Sequence, residues 1–236
     1  MDTCIDADAA PVIAVPAIGF RPAAVLFDMD GLMIESERSL LECWRQAAAE
    51  LRLALDDDLW LSMIGLSDKV CRQMLHDRLQ ADQAEALGAR LGELYGQRVE
   101  AGLPLRPGTR RILDWIDGVG LPRAVVTSTH RWRTEQKLDR CGLQRYFETV
   151  VTGDEVRESK PAPDIYLLAA ERLRVEPARC VVLEDSVPGV RAALAAGMTP
   201  IQVPDLVVPD AAVRALGHRI VASLDEARAL IEPALG

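Results

Sequence analysis

No uninterrupted apolar run in this chain of 236 residues approaches the roughly 20 residues that span a bilayer, although apolar residues make up 49% of it. A membrane-crossing helix is therefore not expected. A basic segment ahead of an apolar one is also missing near the start. Residues 1–20 are mildly apolar from Pro11 to Phe20, but they carry Asp2, Asp6 and Asp8, and Pro11 and Pro16 interrupt the stretch. No secretory leader is expected, and the segment reads as a loosely held extension. Cysteine is sparse: Cys4, Cys43, Cys71, Cys141 and Cys180 are odd in number, scattered, and form no CxxC pair. That pattern argues against a disulfide framework or a zinc cluster and for a reducing, cytoplasmic setting. Positive charge is in deficit, with a formal net charge of −9. Such a balance opposes binding to nucleic acid or an anionic membrane, while a small anionic substrate can still be held by local cations. Internal repeats and low-complexity tracts are absent.

What the chain does have is alternation. Val25-Leu26-Phe27 reads as a strand, and Leu40, Leu41, Trp44, Ala47, Ala48 and Leu51 fall on one helical face, with Ser36 as the N-cap. Helix-favouring sequence continues to about Ala101. A repeating scheme follows: a helix around Ile112, Leu113 and Ile116 closed by Gly118 or Gly120, then a strand over Ala124–Val126. A helix to Arg140 ends at Gly142, and Thr149–Val151 form a strand. Pro163 fits the first turn of a helix through Leu173. Cys180–Leu183 are a strand, Val187–Ala196 a helix closed by Gly197, and Thr199–Val203 a last strand. This order implies an α/β chain with a doubly wound, Rossmann-like parallel sheet, whose ligands bind beyond the carboxyl ends of the strands. The helical block of residues 36–104 interrupts it early and is expected to sit above those ends as a lid. The domain expectation is an extension over 1–20, a core from 21–35 and 105–236, and a helical cap over 36–104.

The strand ends carry the chemistry. The first ends in Asp28-Met29-Asp30-Gly31. On a strand the two acids share a face, and two carboxylates so close repel unless a cation or a shared proton offsets them. A hard divalent ion such as Mg²⁺ suits that need, and Gly31 allows a sharp turn whose N–H can approach an anion. The bland alternative is a strand ending in a turn. The second strand ends in Thr127-Ser128-Thr129, hydroxyl and N–H groups that suit phosphate oxygens. After the third comes Ser159-Lys160-Pro161, and the fourth ends in Glu184-Asp185-Ser186, a second acidic pair. Each alone has an ordinary structural explanation, as a cap or a solvated side chain. Four complementary sets at successive strand ends are a much rarer coincidence.

These segments, with Ser36-Glu37 downstream of the first, Lys160-Pro161-Ala162-Pro163-Asp164 and Leu183-Glu184-Asp185-Ser186 followed by Gly189, resemble the haloacid dehalogenase superfamily in its helical-cap branch. The resemblance covers about residues 21–236 and is nearest to sugar-phosphate phosphatases and β-phosphoglucomutase-like proteins. It implies that Asp28 is a nucleophile forming an aspartyl-phosphate and that Asp30 is the general acid and base. It also implies Mg²⁺ held by Asp28, the Asp30 carbonyl and Asp185, with Glu184 in support. Gly31, Thr127, Ser128 and Lys160 would bind the transferring phosphoryl group, and Lys160, also catalytic, would tether the nucleophile's oxygen. The reaction it implies is hydrolysis of a small phosphorylated metabolite by a monomer or weak dimer.

Two departures bear on this. Glu35 stands where the family usually has Asp, in the hinge to the cap. In the cap, Ile64-Gly65-Leu66-Ser67 resembles the substrate-facing loop, but Ile64 and Asp68 stand where the mutases carry basic residues; Gly65, Ser67, Lys69 and Arg72 are the candidate specificity residues. Leu40 also replaces the mutases' hinge histidine. These features favour a phosphatase over a β-phosphoglucomutase-type mutase. A phosphate-binding regulatory module without turnover is disfavoured because Asp28, Asp30, Lys160 and Asp185 are all present, and a dehalogenase because Asp30 has no evident role there. His76 and His218 read as surface residues. The four tryptophans (Trp44, Trp60, Trp115, Trp132) read as core or cap packing.

Overall fold

A computed structural model describes residues 15–64 and 68–236 of the chain, with the side chains of residues 68 and 69 left outside the description. Six strands form one parallel sheet: β1 (Ala24–Phe27), β2 (Arg123–Thr127), β3 (Thr149–Thr152), β4 (Cys180–Glu184), β5 (Thr199–Gln202) and β6 (Arg219–Ile220). Their order is β3-β2-β1-β4-β5-β6. That is the doubly wound order, in which the chain reverses direction of travel at β1 and leaves a crevice beyond the ends of β1 and β4. The α/β expectation is met. The sequence pattern predicts main strands as far as β5 and does not mark β6, whose two residues carry too short a pattern to recognise.

Why the sheet is buried on both sides is visible in β1. Ala24 and Leu26 face one layer, with Ile165, Tyr166, Ala169 and Ala170 of α7 (Asp164–Leu173) and Ala192 and Ala193 of α8 (Val187–Ala195). Val25 and Phe27 face the other, with Ile112, Leu113 and Ile116 of α5 (Thr109–Gly118), Leu138 of α6 (Arg131–Arg140) and Leu224, Ala227 and Ile231 of α10 (Leu224–Ile231). Alternation along a strand therefore divides one continuous apolar run between two cores.

Between β1 and α5 stand four helices: α1 (Ser36–Glu50), α2 (Asp57–Met63), α3 (Asp68–His76) and α4 (Ala81–Ala101). The chain enters and leaves this insertion side by side, since Ile34 bridges Leu105 and the Glu35 N–H donates to Pro104 O at 2.9 Å. Arg38 at the start of α1 and Arg106 at the exit both pair with the buried Asp205, which ties the neck to the loop after β5. α1 packs on α4 through Leu41, Trp44, Leu87 and Leu94, rimmed by Arg98–Glu42 and Arg90–Glu50 ion pairs. No helix among the described residues is long and apolar enough to cross a membrane.

Several local expectations change. Glu35, not Ser36, is the N-cap of α1, and its side chain makes no capping bond; Ser36 is fully buried. Pro163 caps α7 from outside instead of opening it. Residues 15–20 are tied down: Ile18 is buried and donates to Leu230 O, and the Arg219 guanidinium donates to the carbonyls of Pro16 and Ala17. Residues 1–14 lie outside the described residues. Trp44 and Trp60 pack together in the insertion, ring centroids 5.5 Å apart, but Trp132 is exposed beside the Arg133 guanidinium. His218 is half-buried against the Gln202 amide at 2.8 Å, while His76 is exposed.

Candidate active site

The residues after β1, β2 and β4 and the loop before α7 meet at one end of the sheet. Asp28 follows β1 directly, its backbone N–H donating to Leu183 O of β4. Its carboxylate is almost wholly buried, and Oδ1 accepts from Lys160 Nζ at 2.6 Å. Lys160 also donates to Glu184 Oε1 at 2.6 Å and to Val126 O at 3.1 Å. All three ammonium protons are thus engaged in this arrangement, two on the acids and one on a backbone carbonyl.

Glu184 has no exposure, and its carboxylate is saturated. Oε1 accepts from Lys160 and from the Tyr166 hydroxyl at 2.6 Å, and Oε2 from the Ser186 N–H at 3.1 Å and hydroxyl at 2.9 Å. A Cβ at position 189 would overlap that carboxylate, so Gly189 is what lets α8 start there. Asp185 differs. Its carbonyl accepts from the Gln202 amide at 3.0 Å, while its carboxylate lies against Gly31. Gly31 has φ +80, and a Cβ there would overlap the Asp185 carboxylate. The Gly31 N–H donates to Ile34 O at 3.0 Å, so glycine serves the close approach of Asp185, and its N–H is not turned to an anion as the sequence suggested.

Carboxylate oxygens of Asp28, Glu184 and Asp185 lie within 4.8 Å of one another. Burial first, and then the neighbouring acids against the opposing pull of Lys160, push the Asp28 carboxyl up to about 8. Burial and the charges of Asp28 and Glu184 push Asp185 well above the carboxylate range. Acids raised in this way are short of positive charge. Oxygen-only donors with that deficit fit a hard divalent cation such as Mg²⁺.

Asp30 has its own partners. Lys137 Nζ donates to Oδ1 at 2.6 Å and the Thr129 hydroxyl to Oδ2 at 2.7 Å. Burial alone would raise the Asp30 carboxyl, but the Lys137 charge and these hydrogen bonds outweigh it and hold it below the ordinary range. The Thr127 hydroxyl is buried, accepts from the Thr129 N–H at 3.1 Å and leans toward Asp30 Oδ2 at 3.4 Å. It therefore lies beside the Asp30 carboxylate. Ser128 is exposed where β2 ends.

The sequence pattern does not mark Lys137, Tyr166 or Glu37 as site residues, and Thr129, read with Thr127 and Ser128 as suiting phosphate oxygens, donates to Asp30. Glu37, on the first turn of α1, is raised to about 7 by burial and then by the nearby Asp30 charge. Lys137 had one readable signal: Thr134, Leu138 and Cys141 place it on the buried face of α6. The cap candidates are less informative. Gly65 and Ser67 lie outside the described residues, as does the Lys69 side chain, and Arg72 is exposed on α3. His130 is the exposed N-cap of α6 and stays out of the site.

Comparison with known proteins came to the same place. The sequence model of the haloacid dehalogenase-like hydrolases matches residues 22–197. The chain is 32% identical over 210 residues to the phosphorylated carbohydrates phosphatase of Thermotoga maritima, covering 89% of this chain and 90% of that protein. It is 33% identical over 184 residues to the fructose-1-phosphate phosphatase of Escherichia coli, covering 78% and 97%. Among solved structures, a hydrolase of this family from Deinococcus radiodurans, with bound phosphate and sodium, superposes with a TM-score of 0.76 at 33% identity, over 90% of this chain and 96% of that one.

Proposed function

The chain belongs to the haloacid dehalogenase-like hydrolase family and is a phosphoric monoester hydrolase; from this we propose that it hydrolyses a small sugar phosphate through an aspartyl-phosphate on Asp28. The observation that carries the reading is Asp28 itself. It is a buried carboxylate at the crevice of the sheet, held at Oδ1 by Lys160 while Oδ2 accepts no bond from Lys160. The sugar phosphate follows from the substrates named in two relatives, a phosphorylated carbohydrate and fructose 1-phosphate.

In this mechanism Asp28 Oδ2 attacks phosphorus as the ester oxygen leaves, and Asp30 supplies the proton that makes the leaving oxygen an alcohol. The approach of a negatively charged phosphoryl group raises the proton affinity of Asp30, so its acid form is reached with substrate in place. Asp30 then takes a proton from the water that attacks the aspartyl-phosphate, which releases orthophosphate and restores Asp28. Lys160 fixes the nucleophile and offsets part of its charge. Asp28, the Asp30 carbonyl and Asp185, with Glu184 behind them, would hold Mg²⁺, which when bound would supply the remaining positive charge that lets a carboxylate approach a phosphate. Ser128 and Thr127 border the phosphoryl position, and helices α1–α4 act as the cap over the crevice.

The test is phosphate release from a panel of sugar monophosphates with Mg²⁺, by the parent chain and by Asp28→Asn. The amide is nearly isosteric and a poor nucleophile, so turnover should vanish while the fold persists. Near-parental phosphate release by Asp28→Asn would refute the covalent route.

A further inference from the structure

We propose that Lys137 is a positioning residue for the acid–base step, holding the Asp30 carboxylate at the angle both half-reactions require; this rests on the hydrolytic role given to Asp30 above. The buried face of α6 carries Thr134, Lys137 and Leu138, and the Lys137 side chain keeps only 5% of its exposure. An ammonium in such a place is costly unless paired, and a leucine or methionine would fill the same space without that cost. Its position is therefore explained by its partner. Nζ donates to Asp30 Oδ1 at 2.6 Å, and on the opposite oxygen the Thr129 hydroxyl donates at 2.7 Å. A carboxylate held at both oxygens from two places on the β2–α6 segment cannot rotate about its own bond without losing one of them.

The grip reaches beyond the sheet. The ring of Tyr95, on α4, lies 5.3 Å from Lys137 Nζ, a cation–π contact. Asp30 precedes the neck to the inserted helices, and Glu37 on α1 is near enough for its charge to affect both Asp30 and Lys137. Lys137 therefore stands where α6, α4 and the acid–base residue meet. The orientation of Asp30 is set from behind, by a residue that does not touch the reacting atoms.

A positioning role has a kinetic signature that a general loss of structure lacks. Formation of the aspartyl-phosphate from p-nitrophenyl phosphate needs little acid help, because p-nitrophenolate leaves readily. Hydrolysis of the intermediate needs Asp30 in place. With Mg²⁺ present, Lys137→Met should lower steady-state turnover of this probe by about 10²-fold, the low end of what a general base contributes. It should also release a burst of p-nitrophenolate close to one equivalent per chain. Lys137→Gln, which keeps a donor toward Asp30, should lose only about tenfold. Adding Lys137→Met to Asp30→Asn should cost little more, since both act through one carboxylate. A steady-state rate within about threefold of the parent, a burst that shrinks in parallel with the rate, or additive losses in the double variant would each overturn the proposal. Crystal structures supply a readout that does not depend on turnover. The Asp30 carboxylate should swing away in Lys137→Met and stay in Lys137→Gln, and an unmoved Asp30 in the Met variant refutes the role. If the parent chain hydrolyses no phosphate ester at all, the reaction proposed above falls, and the Asp30 orientation still decides this inference.

Discussion

Removing protons from the acid cluster should destabilise the metal-free protein, and Mg²⁺ should reverse the effect most strongly at high pH. Asp28 titrates near 3.8 when unfolded and at about 8 in the folded chain. A folded value above the unfolded one means that the native state binds the extra proton. Its contribution is fully present below pH 4 and is lost as pH rises through 8. A difference of that size corresponds to at most about 6 kcal/mol between the neutral and ionised forms. Asp185 is raised in the same sense, as is Glu37 at about 7. A cation held by Asp28 and Asp185 needs them ionised, so its binding displaces protons. At 100 times its dissociation constant a ligand stabilises by about 2.7 kcal/mol, and a chain of this size gains about 2–4 °C in Tm per kcal/mol. Thermal melts should therefore show Mg²⁺ raising Tm by about 5–10 °C at pH 8 and by little at pH 5, with chelator as control. Asp185→Asn removes a buried like charge at almost constant volume, so it should raise the metal-free Tm at pH 8 and abolish the Mg²⁺ shift. A shift of equal size at both pH values, or one retained in Asp185→Asn, would refute the reasoning.

Lys160→Met should leave Asp28 and Glu184 facing each other without their shared cation, costing about 3–5 kcal/mol at pH 8 in urea denaturation and less at pH 5, where protonated acids repel less; an equal loss at both pH values would contradict the charge assignment. Gly31→Ala places a methyl group against the Asp185 carboxylate at φ +80, so stability should fall by about 1–2 kcal/mol and Mg²⁺ affinity with it, read by denaturation and by Mg²⁺ titration; parental values would show that the close approach is unimportant. Incubation with β-glucose 1-phosphate, a trace of the 1,6-bisphosphate and Mg²⁺ should yield free phosphate; glucose 6-phosphate accumulating faster would establish a mutase instead.

Much of the fold was readable because β1 to β5 each centre on a short apolar segment, rich in β-branched residues from β2 onward, and alternate with longer amphipathic helices, several of them closed by glycine. The site was readable where chemistry concentrates at strand ends: Asp28, Lys160, Glu184 and Asp185 do converge. What escaped were residues whose identity looks ordinary in place. Lys137 is one of the chain's 27 basic residues and sits in a helix rich in charge, so composition hid it. Tyr166 has the spacing of a core residue and is one, except for a hydroxyl aimed at Glu184. The Gly31 N–H could not be assigned because the turn to Ile34 depends on how the chain re-enters beside Leu105, about 70 residues later.

The missed lysine changes how the site balances charge. Asp28, Asp30, Glu37, Glu184 and Asp185 lie close enough to affect one another's ionisation, and among the described residues the lysines that pair with them are Lys137 and Lys160. On the proposed mechanism each lysine would serve a different part of the reaction. Lys137 pairs with Asp30, the proposed acid–base residue, and Lys160 is shared between Glu184 and Asp28, the proposed nucleophile. Burial first, and then the charges of Asp28 and Glu184, hold Asp185 far above the carboxylate range, and the pull of Lys160 does not offset them. A phosphate ester would add up to two further negative charges beside this unneutralised acid, in a setting where burial strengthens every repulsion. On the mechanism proposed above, proton uptake by Asp28 would relieve that repulsion only by disabling the nucleophile. A divalent cation at Asp185 would relieve it with Asp28 left ionised, so bound cation is expected to strengthen the binding of a phosphate ester.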